Sequence, residues 1–150
     1  MNCDDLQKAV SEALASGQIG TPVSLRAHWQ LADPNADLVK ALAIILRVAE
    51  PAFSRVPDRL TARRGPDERQ IHVLLHYADG KTALITLGRG SVQGESLHWL
   101  LIGNHGIMRL EGAEMFEATG PLAETGDVDR FRAAIDRSVQ SRASVAFAED

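Results

Sequence analysis

The chain has 150 residues, with 16 Lys and Arg against 20 Asp and Glu and a formal charge of −4. That length suits one domain able to bury roughly 70% of its unfolded surface, and too short a chain for a dinucleotide-binding domain plus a separate substrate domain. Mild acidity argues against a nucleic-acid binder, and 45% hydrophobic with 24% charged residues is the composition of an ordinary globule. The longest apolar run, Ala41 to Leu46, is six residues, where a membrane span needs about twenty. Asp4 and Asp5 stand where a signal peptide would carry its basic and apolar regions, and the single cysteine, Cys3, excludes an internal disulfide framework. The expected setting is the cytoplasm.

In chain order, Asp4 to Ser16 is a predicted helix, with Asp4 as its cap, Gln7 completing a capping box, Leu6, Val10, Ala13 and Leu14 in one stripe and Gly17 as its stop. Val23 to Leu31 alternates strictly, placing Leu25, Ala27 and Trp29 on one face of a strand and Ser24, Arg26, His28 and Gln30 on the other. A second helix is expected from Asp33 and Pro34 to before Pro51, and its middle, Ala41 to Leu46, is apolar all round and therefore buried. The arginine-rich stretch from Pro51 to Arg69 reads as connection, with a short strand near Leu60 to Arg63. Ile71 to Ala78 and Lys81 to Leu87 flank Asp79 and Gly80, a dipeptide that suits a two-residue type I′ hairpin. Ser96 to Ile102 turns through Gly103 to Gly106 into a strand from Ile107 to Glu111, Met115 to Ala118 is a further short strand, and Asp127 to Gln140 is the last helix. Strands grouped in hairpins between helices predict a single α+β domain over residues 1–150, with an open, mainly antiparallel sheet and helices packed on one face.

A two-residue loop would pair Tyr77 with Thr82, His76 with Ala83 and Leu75 with Leu84. One face of the hairpin then carries Val73, Leu75 and Leu84; the other carries His72, Leu74, His76, Ile85 and Leu87. His98 and Leu100 extend this second face. Because helices cover only one side of the sheet, the other is expected to meet a second copy of the chain, with His72, Leu74, His76, Ile85, Leu87, His98 and Leu100 at a homodimer interface.

His72, His76 and His98 on one face raise the question of zinc, but no carboxylate or thiol stands beside them at a ligand-like spacing, so they read as interface side chains with no metal. Gly88, Gly90 and Gly94 follow a strand but precede another strand, whereas a dinucleotide fingerprint opens a helix. No cofactor is expected. Arg55, Arg59, Arg63, Arg64 and Arg69 are diluted by Asp58, Asp67 and Glu68 and read as a solvated connection. Cys3 beside Asp4 and Asp5 is not an activated thiol.

Several segments, in order, carry a resemblance. Ala13 to Val23 resembles a helix-to-strand junction, Val56 to Ala62 a strand after a long helix, Val73 to Ile85 a "tyrosine, aspartate, glycine" hairpin around Tyr77, Asp79 and Gly80. Leu101 to Leu110, with Gly103 and Gly106, resembles a strand pair, and Phe131 to Asp150 a closing helix and tail. Together they resemble the dihydrodipicolinate-reductase-like C-terminal domain of the glucose-fructose oxidoreductase, inositol dehydrogenase and rhizopine-catabolism (Gfo/Idh/MocA) family. The resemblance implies a domain used in oligomerisation or in forming a substrate pocket. It also implies a nucleotide-binding Rossmann domain, with NAD or NADP and a catalytic lysine, that these 150 residues do not include and that a separate domain or subunit would supply. The family's aspartate and histidine at the long helix align with Asp37 and Ala41, and a second aspartate with Ile44, so Asp37 stands as a remnant of a site without its proton-transferring imidazole. The expectation is an oxidoreductase-like domain with no dehydrogenase activity alone. The alternative is a stand-alone binding module for a small polar ligand or a protein partner.

Overall fold

The structure, a computed structural model, describes residues 3–53, 56–112 and 125–147. It consists of α1 (Cys3–Ala15), β1 (Pro22–Gln30), α2 (Leu38–Ala49), β2 (Arg59–Arg64), β3 (Gln70–His76), β4 (Thr82–Gly88), β5 (Ser96–Gly103), β6 (Ile107–Gly112), α3 (Thr125–Ser141) and β7 (Val145–Ala146). The strands form one open sheet in the order β6-β5-β1-β4-β3-β2-β7. Only β1 and β4 run parallel, and the chain between them includes α2, the helical crossover that parallel neighbours require. Every other neighbouring pair is antiparallel. The fold is α+β, with a mixed, mainly antiparallel sheet and three helices.

One side of the sheet is the core. Leu25, Ala27 and Trp29 of β1, Ile71, Val73 and Leu75 of β3, Ala83, Ile85 and Leu87 of β4 and Leu97, Trp99 and Leu101 of β5 are all buried. Against them lie α2, whose buried positions run almost without break from Leu38 to Ala49, and the apolar stripes Leu6 and Val10 of α1 and Val128, Phe131 and Ile135 of α3. Trp29 donates its indole N–H to Glu95 Oε1 at 2.8 Å, while the equally buried Trp99 has no acceptor for its indole N–H among the described residues. Ser138 is the one buried polar residue among those described; its hydroxyl accepts from the Ala62 N–H at 2.8 Å and donates to the Ala143 carbonyl at 2.6 Å. β7 covers β2 only at Arg59 and Leu60, so the hydroxyl from α3 takes over where this short strand stops.

Three expectations need correction. The hairpin loop has three residues, not two: the Tyr77 N–H donates to the Lys81 carbonyl and the Gly80 N–H to the Tyr77 carbonyl, with Gly80 at φ +90°. His76 therefore pairs with Thr82, Leu75 with Ala83 and Val73 with Ile85, and the slip of one residue moves every β4 side chain to the opposite face. The second helix starts at Leu38, not at Asp33, because Asp33 instead closes a turn through the Asn35 N–H at 2.8 Å. Gln7 does not complete a capping box; its side chain donates to the Arg47 carbonyl at 2.9 Å and ties α1 to α2. The expected strand from Met115 to Ala118 lies outside the described residues. No described helix is long and apolar enough to cross a membrane.

Candidate functional site

The side of the sheet away from the helices carries the chemistry, and the strand registers order it into transverse rows. Residues opposite one another in neighbouring strands share a face. The first row reads Glu111, His98, His28, Thr86, His72, Arg63 from β6 to β2. The second reads Arg109, Leu100, Arg26, Leu84, Leu74, Thr61, and the third Ile107, Ile102, Ser24, Thr82, His76, Arg59. Leu84 is 42% exposed, unusual for a leucine in the middle of a sheet. A depression of about 280 Å³ opens between the first two rows, lined by Arg26, His28, Leu84, His98, Leu100 and Arg109.

Each histidine of the first row has its own partner. His28 and His98 have ring centroids 6.3 Å apart. His98 Nδ1 lies 3.6 Å from Glu111 Oε1, and His72 Nδ1 is 3.2 Å from Thr86 Oγ1. Gln30 Nε2 stands 2.7 Å from His28 Nε2. An amide nitrogen only donates, so that imidazole nitrogen is the acceptor and the ring is neutral. Burial lowers the His28 pKa below its ordinary value, and the neighbouring His98 and then His72 lower it further.

The structure thus brings His72 and His98 together with His28, while His76 sits two rows away. Among the described residues no group of three or more His, Cys, Asp or Glu is placed to hold a metal ion. Leu74 and Leu100 lie on the open face as expected. Ile85 and Leu87 do not: both are 0% exposed on the helix side, a direct result of the three-residue loop. Leu84 takes their place, with Arg26 beside it on β1. The signal for the longer loop was Ala78 before Asp79 and Gly80, since a type I turn followed by a left-handed glycine is the usual three-residue hairpin.

The second site is the start of α2. Asp37 is its N-cap: Oδ1 accepts from the Val39 N–H at 3.0 Å and the Lys40 N–H at 3.3 Å, while Oδ2 accepts from Arg132 of α3 at 2.8 Å. Burial works to raise the pKa of this carboxyl, but the Arg132 guanidinium and the two backbone donors outweigh it and hold it below the usual carboxylate range. A cavity of about 370 Å³ lies alongside, lined by Asp37, Arg64, Glu68, Gln70, Arg89 and Arg132. Ala41 and Ile44, one and two turns on, are 3% and 7% exposed and pack in the core. The cluster can cap a helix and hold an ion pair, and Ala41 supplies no group for proton transfer.

The remaining sequence motifs disperse. Arg64 pairs with Asp136 at 2.7 Å and Arg69 with Asp67 at 3.2 Å. Arg59 and Arg63 bond to Ser144 and to the Arg142 carbonyl, fastening the chain after α3 to the sheet edge. Arg55 lies outside the described residues. Gly88 ends β4 and Gly90 and Gly94 lie between β4 and β5, so the element that follows them is a strand and not the helix a dinucleotide fingerprint opens.

No family model and no curated protein matches the chain. Solved structures do. A probable dehydrogenase from Thermotoga maritima superposes with a TM-score of 0.73 at 14% identity, over 97% of this chain and 62% of that one. Scyllo-inositol dehydrogenase from Lactobacillus casei with bound NAD(H) and scyllo-inositol gives 0.72 at 14% identity, with 97% and 62% covered. A myo-inositol dehydrogenase from Corynebacterium glutamicum gives 0.70 at 14%, with 98% and 62% covered. The chain spans about three fifths of the length of these proteins, and it shares their α+β fold over that part.

Proposed function

We propose that the chain is an oxidoreductase-like C-terminal domain that works in assembly, pairing with a second copy through the open face of its sheet, and that it has no dehydrogenase activity alone. The observation that carries this reading is the self-complementary pattern of that face. Its first row has an acid, Glu111, at the β6 end and a base, Arg63, at the β2 end. A two-fold axis along the strands sets each acid opposite the other copy's base and brings Leu100 of one copy over Leu74 of the other, with Leu84 over Arg26, the arrangement an isologous interface requires. The fold shared with inositol dehydrogenases supports the assignment to an oxidoreductase, whose nucleotide-binding domain would come from elsewhere in the assembly.

The test is the solution mass. Light scattering at micromolar concentration should give twice 16.2 kDa, and Leu84→Arg should give a folded monomer. A wild-type mass of one chain would refute the reading. Titration with NADH followed by nicotinamide fluorescence should stay flat; saturable micromolar binding would refute the assignment to a domain without its own nucleotide site.

A binding module is the second reading, favoured by the cavity beside Asp37, whose Arg64, Arg89 and Arg132 suit a small polar ligand. Thermal shift in a panel of small polyols and acids tests it.

A further inference from the structure

We infer that the sheet-to-sheet pairing is acid-labile, with His28, His98 and His72 as the groups whose protonation separates the copies; this rests on the dimer reading above. Three imidazoles lie in a single transverse row at the middle of the surface, not at its rim. His28 accepts from Gln30 at Nε2, a bond an imidazolium cannot make because both its nitrogens donate.

The charges facing this row come from every strand around it. On β1, Arg26 is the cation of the next row, and on β6 stand Arg109 and Glu111. β4 contributes only Thr86 and Leu84, and β3 contributes His72. On β2, Arg63 is held by the Ala62 and Arg142 carbonyls and keeps its charge beside His72. Among the described residues of these rows Glu111 is the one carboxylate that can compensate an imidazolium, and it stands beside His98. Acid therefore adds cations to rows that, among the described residues, already carry Arg26, Arg63 and Arg109 against one carboxylate. A two-fold interface doubles each of them inside a seam that has lost its water, where like charges repel most strongly.

The direction follows from linkage. The paired state prefers neutral rings, so association is at full strength while the rings are neutral and weakens as acid protonates them. Burial and the neighbouring imidazoles already lower the His28 pKa in the single chain, so its share of the loss sets in below the ordinary histidine range.

Sedimentation velocity at pH 8.0 and 5.5, at equal ionic strength and with far-ultraviolet circular dichroism in parallel, tests this. The expected result is a dimer at pH 8.0 and a dissociation constant at least about tenfold higher at pH 5.5, with the dichroism unchanged. The double variant His28→Gln, His98→Gln should pair at both pH values with a much smaller ratio. Glu111→Gln, which removes the compensating carboxylate, should enlarge the ratio. A wild-type dimer with the same constant at both pH values overturns acid lability and leaves the dimer standing. A monomer at both overturns the dimer reading itself. A loss of dichroism at pH 5.5, or a ratio left unchanged by both variants, overturns the role of the histidine row.

Discussion

Ile85 and Leu84 are neighbours in β4, and the three-residue hairpin loop makes opposite predictions for them. Ile85 is 0% exposed among the helix-side residues, while Leu84 is 42% exposed on the open face. Ile85→Ala removes three buried carbons, worth about 0.8 kcal/mol each in transfer alone, and leaves a cavity; the expected cost is about 3 to 4 kcal/mol. Leu84→Ala removes the same number of carbons from a half-wet position, and its expected cost to the single chain is under about 1 kcal/mol. Both changes put alanine into the same strand, and the stronger strand preference of isoleucine accounts for under about 1 kcal/mol of the difference, so most of it reports burial. Urea unfolding monitored by tryptophan fluorescence reads both, and in a chain of this size the Ile85 variant should melt about 6 to 16 °C lower. Measurement at two protein concentrations separates the part of the Leu84 effect that belongs to association, because only that part depends on concentration. A larger concentration-independent loss for Leu84→Ala than for Ile85→Ala would refute the register, and with it the composition of the open face.

Ser138→Ala should cost about 2 kcal/mol in urea unfolding, because it strands the Ala62 N–H and the Ala143 carbonyl in the one buried polar contact described between α3 and the sheet; an unchanged midpoint would count against that bond. Asp37→Ala should cost about 1 to 2 kcal/mol, mostly from the lost helix cap with a smaller share from the partly exposed Arg132 pair, and Asp37→Asn less, since an amide oxygen still caps. Because the folded carboxyl is more acidic than the unfolded one, the gap between wild type and Asp37→Asn should be full above the ordinary carboxylate range and close as pH falls through the folded value; a gap that widens in acid would contradict the assigned partners.

The parts of the fold legible in the sequence were those that local periodicity determines. Leu25, Ala27 and Trp29 announce the inner face of β1, and the all-round apolar run of α2 announces a helix packed on several sides. Sheet order was less legible: β1 sits between β4 and β5, and nothing near Val23 in the chain says that its partners are about sixty and seventy-five residues away. The two-residue β7 has no periodicity at all, and it exists because Arg59 and Leu60 leave an edge to pair with. At the start of α2, Asp33 followed by Pro34 carries the stronger local signature of a helix start. Asp37 prevails as the cap because Arg132, ninety-five residues on, arrives to hold its second oxygen.

The site depends on a finer quantity than any of these. Alternation places His72 and Leu74 on opposite faces of β3 from Val73 whatever the loop, but whether Leu84 or Ile85 joins them is decided by one residue in the hairpin. With two loop residues the open face would gain Ile85 and Leu87, and the core would receive Thr82, Leu84 and Thr86, three side chains of which two bring hydroxyls that need partners there. Three loop residues send Ala83, Ile85 and Leu87 inward and both threonines outward, where Thr86 meets His72 at 3.2 Å. Burial energy of the β4 side chains therefore selects the turn, and the turn in selecting them sets Thr86 between His28 and His72 and Leu84 between Arg26 and Leu74. The mixture of leucine, histidine and arginine on the open face follows from how the core is filled on the other side of the same strands.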